Sequence, residues 1–333
     1  MGVSLRQQIV AAVRVAQQQC SPRAAVADQV WAFVGHRPLF VLAVGKSAVA
    51  MATGVTGQAA VAAGLIIATD GAVPSVPGFE LMVASHPFPD QRSVSAAQRA
   101  LAFVAAVPAH GVLLALISGG TSSLLAAPRC HGGLQAKVQV MQQLMAAGAA
   151  IHELNTVRAT LSLIKAGGLV VDCAAPVVTW AISDVPGDDI GMIGSGPTVG
   201  DWVDVASMMP RYQALQAAAQ QVLQRYGVDA PGLVVPRAIR RLDNVRGHDV
   251  ARVIAPRCAL ADAIVLALRS NQPVCRLSLD EDSAVIARAI ATGFAALAPG
   301  QWLVAHGEPT VRLPPAAGPG GRMRDVALRL AIE

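Results

Sequence analysis

The stretch that decides the fold reads VLLALISGGTSSLL and occupies residues 112–125. Its first six residues are apolar and predict a buried strand, whereas the glycines and hydroxyls of residues 118–123 predict a turn before a helix. In α/β enzymes a turn of this kind brings backbone N–H groups against an anion. A plain strand-to-helix loop with a Ser or Thr cap is the simpler interpretation, but glycines and hydroxyls together favour an anion-binding turn.

Two further polar turns follow predicted strands. Gly45-Lys46-Ser47 comes after the apolar residues 39–44, and Ser183-Asp184-Val185-Pro186-Gly187-Asp188 comes after residues 177–182. The carboxyl ends of parallel strands meet at one edge of a sheet, which is where open α/β sheets bind ligands. We therefore expect the three turns to form one site.

Strands and helices alternate along the chain, which predicts an α/β fold with a Rossmann-like, doubly wound parallel sheet. The strands of this sheet are predicted at residues 39–44, 65–69, 80–84, 111–117 and 177–182. A second alternation begins with a strand at 251–255 and includes a hairpin-like segment at 302–313. We expect a Rossmann-like domain over residues 1–225, a smaller α/β domain over residues 226–333, and an active-site cleft between them.

The composition restricts the class of protein. Charged residues are 14% of the 333 residues, and no run of about 18 apolar residues is present to span a bilayer. Because a signal-peptide pattern is also absent, we expect a cytoplasmic protein without membrane contact. The net charge of +5 comes from scattered basic residues, which disfavours nucleic-acid binding and suits small anionic ligands. The sequence leaves a homo-oligomer open.

Metal and disulfide patterns based on cysteine and histidine are missing. The five cysteines form no C-x-x-C pair, and the seven histidines form no H-x-x-x-H pair. We therefore expect neither a disulfide framework nor a zinc site.

Lys46 stands where a helix is predicted to begin. The Gly-Lys-Ser run resembles the end of a P-loop, but that motif requires a glycine five positions before Gly45, where this chain has Phe40. A Walker A loop is therefore excluded. A cation at a helix N-terminus opposes the helix dipole, so either an anion binds nearby or Lys46 is an ordinary surface lysine.

Asp184 and Asp188 flank a Pro-Gly pair. Two carboxylates at this place suit Mg²⁺ beside a phosphate, because Mg²⁺ is a hard cation that prefers oxygen ligands. A type II turn with flanking aspartates explains the same residues equally well. The run Gly194-Ser195-Gly196 extends this loop and offers further N–H donors.

His86 and Asp90 stand in a loop that two prolines stiffen. The prolines fix where these side chains point, although a merely rigid turn has the same pattern. Asn155 and Arg158 share one face of a helix predicted over residues 155–166, near whose end Lys165 stands. A solvated helix face that ends in a glycine cap is the alternative.

Arg322 follows the glycines of residues 318–321 and precedes an apolar helix. A guanidinium delivered in this way suits a carboxylate or a phosphate, unless the glycines form only a linker.

Together these segments resemble the glycerate 2-kinase family, whose C-terminal part is called the MOFRL domain. The matching segments are Gly45-Lys46, His86-Pro87-x-Pro89-Asp90, Ser118-Gly119-Gly120, Asn155-x-Val157-Arg158, Leu161-Ser162, Lys165 with Gly167-Gly168, Ser183-Asp184-Val185 with Gly187-Asp188, and Ser195-Gly196-Pro197-Thr198. The resemblance implies two domains that enclose a cleft, and transfer of the γ-phosphoryl group of ATP to the 2-hydroxyl of glycerate with Mg²⁺. It also implies catalytic roles for Lys46 and Arg322.

The resulting hypothesis gives each group a role in phosphoryl transfer, which depends on positioning and on charge neutralisation. Lys46 and Arg322 act on the transferred phosphoryl group, and Asp184 and Asp188 hold Mg²⁺. The predicted nucleotide-phosphate site consists of Ser118, Gly119, Gly120, Thr121, Ser122, Gly194, Ser195 and Gly196. The predicted site for a small 2-hydroxy acid consists of His86, Asp90, Asn155, Arg158 and Lys165. No residue stands out as the base that takes the hydroxyl proton.

The second half departs from the family pattern. The family's Gly-Gly-Glu-Thr is His306-Gly307-Glu308-Pro309 here, and Met323-Arg324 replaces an Asn-Gln pair beside Arg322. The family's Gly-Thr-Asp-Gly-x-Asp-Gly segment is absent, so we expect a C-terminal domain that is shortened relative to the family. One alternative is an impaired family member that binds ligands or regulates.

A second alternative is an NAD(P)H-dependent hydroxypyruvate reductase. It suits the Rossmann-like start, but the chain lacks G-x-G-x-x-G after the first strand and the acidic residue about 20 positions further on.

Overall fold

The computed structural model describes residues 4–30, 37–71, 76–149, 151–199, 205–229, 232, 250–268, 274–311 and 320–332. The chain divides into two compact units, and the larger one is continuous over residues 22–255. The smaller unit combines residues 1–21 with residues 256–333.

A six-stranded parallel sheet forms the centre of the larger unit. Its strands are β1 (Leu39–Val44), β2 (Ala63–Ala68), β3 (Phe79–Val83), β4 (Val112–Ile117), β5 (Val177–Ile182) and β6 (Val250–Ala255). They are arranged in the order β3-β2-β1-β4-β5-β6. The α/β class and the doubly wound parallel sheet are therefore confirmed.

The strand order creates a switch point between β1 and β4. From β1 the chain proceeds to β2 and β3 on one side, and it then returns to β4 and β5 on the other. In register, Leu39 pairs with Val112 and Val44 pairs with Ile117, so both strands end at the same level. The turns after these two strands are consequently neighbours, at the place where open α/β sheets bind ligands.

Both faces of the sheet are covered, which explains why its central strands are almost entirely apolar. The helices of the larger unit are α2 (Pro22–Val30), α3 (Ala48–Thr56), α4 (Gln91–Ala105), α5 (Thr121–Leu124), α6 (Gly133–Ala146), α7 (Ile151–Thr160) and α8 (Val205–Arg225). Leu113 and Ala115 belong to one core cluster together with Phe103 of α4. Leu114 and Leu116 face the opposite side and belong to a second cluster with Met51 of α3. Alternate residues of one strand thus supply both cores.

A third apolar cluster involves α6, α7 and α8, and includes Leu144, Val157 and Leu223. The buried carboxylate of Glu153 accepts hydrogen bonds from Arg225 at 2.6 Å and from the Tyr226 hydroxyl at 2.7 Å. Both oxygens of this buried carboxylate therefore have partners, and the two hydrogen bonds join α7 to the end of α8.

The smaller unit contains a two-stranded parallel sheet. Its elements are α1 (Leu5–Gln19), α9 (Ala259–Ala267), β7 (Val274–Ser278), α10 (Ser283–Ala295), β8 (Trp302–His306) and α11 (Arg322–Ile332). In place of the hairpin-like segment predicted over residues 302–313, β8 pairs in parallel with β7, and residues 312 and 313 lie outside the described ranges. Parallel strands need a crossover, and α10 supplies it.

The larger unit ends at residue 255, whereas the sequence predicts a domain boundary between residues 225 and 226. The strand at 250–255 is hydrogen-bonded to β5 and so belongs to the larger unit. Helix α1 packs against α9 of the smaller unit, and Cys20 donates to the Ala259 carbonyl oxygen at 3.4 Å. The alternation of strands and helices does not specify which sheet a strand joins.

Two helices differ from prediction. The helix predicted over 155–166 is α7, which ends at Thr160, so Lys165 lies in a loop behind it. Helix α2 was not predicted, because its short run of alanines carries little amphipathic pattern. None of the helices in the described ranges has the length and apolar character needed to cross a membrane.

Candidate active site

The turns after β1 and β4 are bonded to each other through the backbone. Lys46 N–H donates to the Gly119 carbonyl oxygen at 2.9 Å, and Ser47 N–H donates to Ser118 Oγ at 3.1 Å. Gly45 has φ +124°, and a Cβ atom there would lie 2.2 Å from Ser118 Oγ. Glycine is therefore required for the two turns to approach this closely.

The hydroxyls that lie deepest in the SGGTSS turn stabilise the turn itself. Ser118 and Thr121 are buried, and Thr121 Oγ1 lies 3.0 Å from the carbonyl oxygen of Val44 and 2.8 Å from that of Ser118. Within the described part of the chain, the N–H groups of Gly119 and Gly120 have no hydrogen-bond acceptor. The turn thus presents backbone donors, as its sequence predicts.

Lys46 and His86 flank Gly120. A Cβ atom added to Gly120 would lie 3.1 Å from His86 Cδ2 and 3.3 Å from Lys46 Cγ. Lys46 is exposed and His86 is half-buried. The structure thus brings a cation and an imidazole to the same glycine at the end of β4.

Asp184 lies on the other side of the same turn. A Cβ atom on Gly119 would lie 2.2 Å from Asp184 Oδ2, so the carboxylate lies directly against this glycine. Gly187 has φ +75° and ψ 2°, and Asp188 N–H donates to the Val185 carbonyl oxygen at 3.3 Å. These are features of a type II turn, the alternative interpretation of the sequence.

The carboxylates of Asp184 and Asp188 suit Mg²⁺ better than a softer metal, because Mg²⁺ prefers oxygen ligands. The described residues contain no group of three or more His, Cys, Asp or Glu side chains that would hold a metal by themselves. Mg²⁺ is usually bound through one or two carboxylates together with substrate phosphates and waters. Asp184 and Asp188 are therefore suitable as a partial ligand set.

Lys165 is hydrogen-bonded to two serines. Its Nζ donates to Ser195 Oγ at 2.8 Å and also to Ser122 Oγ, and the two serine oxygens are 2.9 Å apart. We call these three residues the Ser-Lys-Ser triangle. The side chain of Lys165 is only 5% exposed, whereas both serines are half-buried.

Close backbone packing holds the triangle together. Ala166 N–H donates to the Ser195 carbonyl oxygen at 3.1 Å, and a Cβ atom on Gly194 would lie 2.8 Å from Thr121 Cβ. Ser195 and Ala166 have φ values of +65° and +52°, which residues other than glycine rarely adopt. The surrounding contacts therefore maintain a strained loop around Ser195.

Lys165 lies close enough to two other basic side chains, Lys137 and Arg158, for their charges to affect its pKa. Burial lowers the pKa of Lys165 well below its ordinary value, and the positive charges of Lys137 and Arg158 lower it further. Burial, with the charge of Arg158, lowers the pKa of Lys137 to about 8. Burial also lowers the pKa of Arg158. A bound anion would compensate the repulsion among these cations.

Several known proteins are similar to this chain in sequence and in fold. A family model described as a domain of unknown function, DUF4147, matches residues 4–228. A D-glycerate 2-kinase of Thermotoga maritima is 31% identical over 268 residues, which are 76% of this chain and 61% of that protein. The chain belongs to the glycerate 2-kinase family.

Other relatives of this glycerate 2-kinase family member differ in their names. An Agrobacterium vitis protein with the provisional name hydroxypyruvate reductase is 34% identical over 353 residues. The match covers 99% of this chain and 76% of that protein. The crystal structure of a glycerate kinase from Thermotoga maritima matches with a TM-score of 0.78 and 26% identity. That match covers 98% of this chain and 80% of the other.

Asp90 acts as a helix cap in this member of the glycerate 2-kinase family. Its carboxylate accepts from Arg92 N–H at 2.9 Å and from Ser93 N–H at 3.4 Å, at the start of α4. Desolvation raises the pKa of Asp90, but hydrogen bonds from the Arg92 side chain and from both N–H groups outweigh it and lower the pKa. The predicted contact between Asp90 and substrate stays a prediction.

Replacing Asp90 distinguishes the cap from a substrate contact. Asp90→Ala should lower the melting temperature, because two N–H groups lose their acceptor, and Asp90→Asn should retain most of it. Thermal unfolding and KM for the hydroxy acid are measured for both variants. If KM rises equally in both while the melting temperature stays unchanged, the residue binds substrate instead.

Two further predicted residues of this glycerate 2-kinase family member, Asn155 and Arg322, lie in α7 and α11. The side chain of Asn155 lies outside the described residues. Arg322 begins α11 and forms an exposed ion pair with Glu308 at 2.9 Å. The predicted cooperation of Arg322 with Lys46 stays a prediction.

Sequence reasoning missed Lys137, which is only 8% exposed. It precedes the buried residues Val140, Met141 and Leu144 of α6 at helical spacing, so it lies on the buried stripe of that helix. This periodicity is the signal that identifies it. A lysine on an apolar stripe needs an explanation, because lysine is rarely buried without a partner.

Proposed function

We propose that the protein transfers the γ-phosphoryl group of ATP to the 2-hydroxyl of glycerate or of a related small 2-hydroxy acid. The observation that supports this most directly is the meeting of Lys46, the Gly119-Gly120 turn and Asp184 at the switch point of the sheet. A cation, backbone donors and a carboxylate are the groups that bind a metal-complexed phosphate chain.

In this proposal the chain neutralises the phosphates from several directions. The N–H groups of Gly119 and Gly120 donate to phosphate oxygens, with Gly194 and Gly196 in the adjoining loop as further donors. Lys46 approaches the transferred group, and Asp184 with Asp188 holds Mg²⁺, which would neutralise charge between the β- and γ-phosphates. Arg322 supplies a second cation, as the resemblance to the family implies.

The hydroxy acid is assigned to the cationic side of the site. Arg158 is the proposed partner of its carboxylate, because a guanidinium binds a carboxylate in two-point geometry and keeps its charge when buried. His86 lies beside Lys46 at Gly120 and is proposed to contact the reacting end of the substrate. Asn155 retains the substrate contact predicted from its helix position.

A coupled assay tests the proposal. With D-glycerate, ATP and Mg²⁺ the intact chain should form ADP, and ³¹P NMR should identify 2-phosphoglycerate as the product. Chelation of Mg²⁺ by EDTA should abolish turnover and re-addition should restore it, because the metal neutralises the phosphate charge. A panel of 2-hydroxy acids then defines the substrate. Binding of ATP and hydroxy acid without any ADP formation would support an impaired, ligand-binding family member.

A reductase is the second candidate, and the Agrobacterium vitis relative named for hydroxypyruvate reduction favours it. A dinucleotide-binding protein has a glycine-rich turn after its first strand, but here the turn Gly45-Lys46-Ser47 after β1 carries a single glycine, which disfavours this candidate. Oxidation of NADH or NADPH with hydroxypyruvate tests this candidate. A rate above that of the protein-free control, without ADP formation from glycerate, would replace the kinase proposal.

A further inference from the structure

Lysine is rare in this chain. Three of the 26 basic residues are lysines, namely Lys46, Lys137 and Lys165, and the other 23 are arginines. Two of the three lysines are buried in the larger unit, whereas Lys46 is exposed. The two side chains differ in one chemical respect that matters here, since a buried lysine can lose its proton and an arginine in a protein cannot.

The environment of Lys165 favours the neutral amine. The nearby ionisable groups that act on it are both cationic, Lys137 on α6 and Arg158 on α7. In the described ranges, no carboxylate forms an ion pair with Lys165. Its hydrogen-bond partners are the uncharged hydroxyls of Ser122 and Ser195. Burial and like charge thus act in the same direction.

A neutral amine satisfies the Ser-Lys-Ser triangle completely. Three heavy atoms in mutual contact need one hydrogen for each of three bonds, and the distances between Lys165 and Ser195 and between the serines are 2.8 and 2.9 Å. With a neutral amine, Ser122 donates to Nζ, Nζ donates to Ser195, and Ser195 donates to Ser122. An ammonium group that donates to both serines satisfies the same three contacts, but only the neutral amine has a lone pair that can accept a proton from Ser122.

The triangle adjoins the turn to which the phosphates are assigned. Ser122 follows Gly119 and Gly120 in the same turn and is half-buried, whereas its hydrogen-bond partner Lys165 is buried. A substrate that arrives from solvent would therefore meet Ser122 before Lys165. Ser195 and Ala166 have positive φ values, and strained residues of this kind cluster at functional sites.

We propose that Lys165 is the proton acceptor of the phosphoryl transfer and that Ser122 relays the proton of the substrate hydroxyl to it. This inference rests on the proposed function and supplies the base that the sequence did not reveal. It also assigns Lys165 a role other than the carboxylate contact predicted for it, which Arg158 then provides.

The phosphoryl transfer forms one bond to the γ-phosphorus, breaks another, and moves one proton to Lys165. The substrate oxygen forms a bond to the γ-phosphorus, and the bond from that phosphorus to the bridging oxygen breaks with its electron pair remaining on ADP. The hydroxyl proton passes to Ser122 Oγ, and Ser122 passes its own proton to the lone pair of Nζ. The ammonium group returns this proton to solvent after the product leaves.

The first measurement follows the three lysines directly. In the full chain labelled with ¹³Cε-lysine, NMR should show three lysine signals, and Lys165→Met and Lys137→Met assign two of them. The Lys165 signal should titrate well below the ordinary lysine pKa of about 10.4. A Lys165 signal that titrates at the ordinary value would overturn the proposal.

The second measurement compares rates over a range of pH with D-glycerate and ATP. The wild-type kcat/KM should fall on the acid side with a midpoint equal to the pKa of the Lys165 signal. Lys165→Met should lower kcat/KM by about 100- to 10,000-fold and remove that acid limb. Lys165→Arg keeps the charge without a basic lone pair, so it should not restore the rate. If Lys165→Arg restores it, the side chain acts as a cation and the proposal fails.

Lys137→Met distinguishes a proton-accepting Lys165 from one that only stabilises the fold. Removing this neighbouring positive charge should raise the pKa of Lys165 and move the acid limb to higher pH. Should Lys165→Met fail to fold, Ser122→Ala breaks the relay and should remove the same limb. A wild-type chain that forms no ADP overturns both proposals, whereas an active chain whose acid limb survives in Lys165→Met overturns this one alone.

Discussion

Replacement of Lys46 by methionine is expected to lower kcat/KM for phosphoryl transfer by about 1,000-fold or more. The side chain lies against Gly120 beside His86, at the end of β4 where the phosphates are assigned. Its charge would act on the negative charge that spreads over the transferred group. Because Lys46 is exposed, the substitution should leave the melting temperature unchanged. Steady-state ADP formation measures the rate.

A matched control separates this local effect from net charge. Arg99→Met removes one positive charge from an exposed ion pair with Glu80 on the same unit and should change kcat/KM little. Lys46→Arg keeps the charge in a different shape and should give an intermediate rate. Equal rates for the wild-type protein and Lys46→Met would remove Lys46 from the mechanism.

Gly45→Ala is expected to destabilise the larger unit by about 2–5 kcal/mol, from backbone strain together with overpacking. The added Cβ would lie 2.2 Å from Ser118 Oγ and 2.7 Å from the Ser118 carbonyl oxygen, and φ at this position is +124°. The carbonyl oxygen cannot move away without disturbing the end of β4. Equilibrium unfolding in urea measures the change, and the rate of phosphoryl transfer should fall as well.

Gly78→Ala is the control for this substitution. Gly78 also has a positive φ, +81°, but a Cβ atom there would meet nothing within 4 Å. It should therefore show the backbone strain alone, about 1 kcal/mol. Equal losses of stability in both variants would show that the close approach of the two turns contributes nothing.

Much of the larger unit is predictable from local pattern. Short apolar runs such as residues 112–117 lack the polar positions of an amphipathic helix and so predict buried strands. Small polar turns follow these runs, and in a parallel sheet such turns lie at the edge where ligands bind. The structure accordingly brings Gly45, Ser118 and Asp184 together at this edge. These features depend on residues close in sequence and on a general rule for parallel sheets.

The missed features depend on contacts between distant residues. Which sheet the strand at 250–255 joins is decided by its hydrogen bonds to β5, and the pairing of β8 with β7 depends on α10 between them. Lys165 meets Ser122 and Ser195 through loops that are 43 and 30 positions away along the chain. No short motif encodes such distances, so the triangle could be seen only in three dimensions.

The pairing of α1 with α9 affects the order in which the chain can fold during its synthesis. Cys20 and the residue it contacts, Ala259, are 239 positions apart. At ribosomal speeds of 5–20 residues per second, the first helix waits about 10 to 50 s for its partner to be translated. The continuous segment 22–255 is complete before then, so the larger unit can fold while α1 still lacks the helix against which it packs.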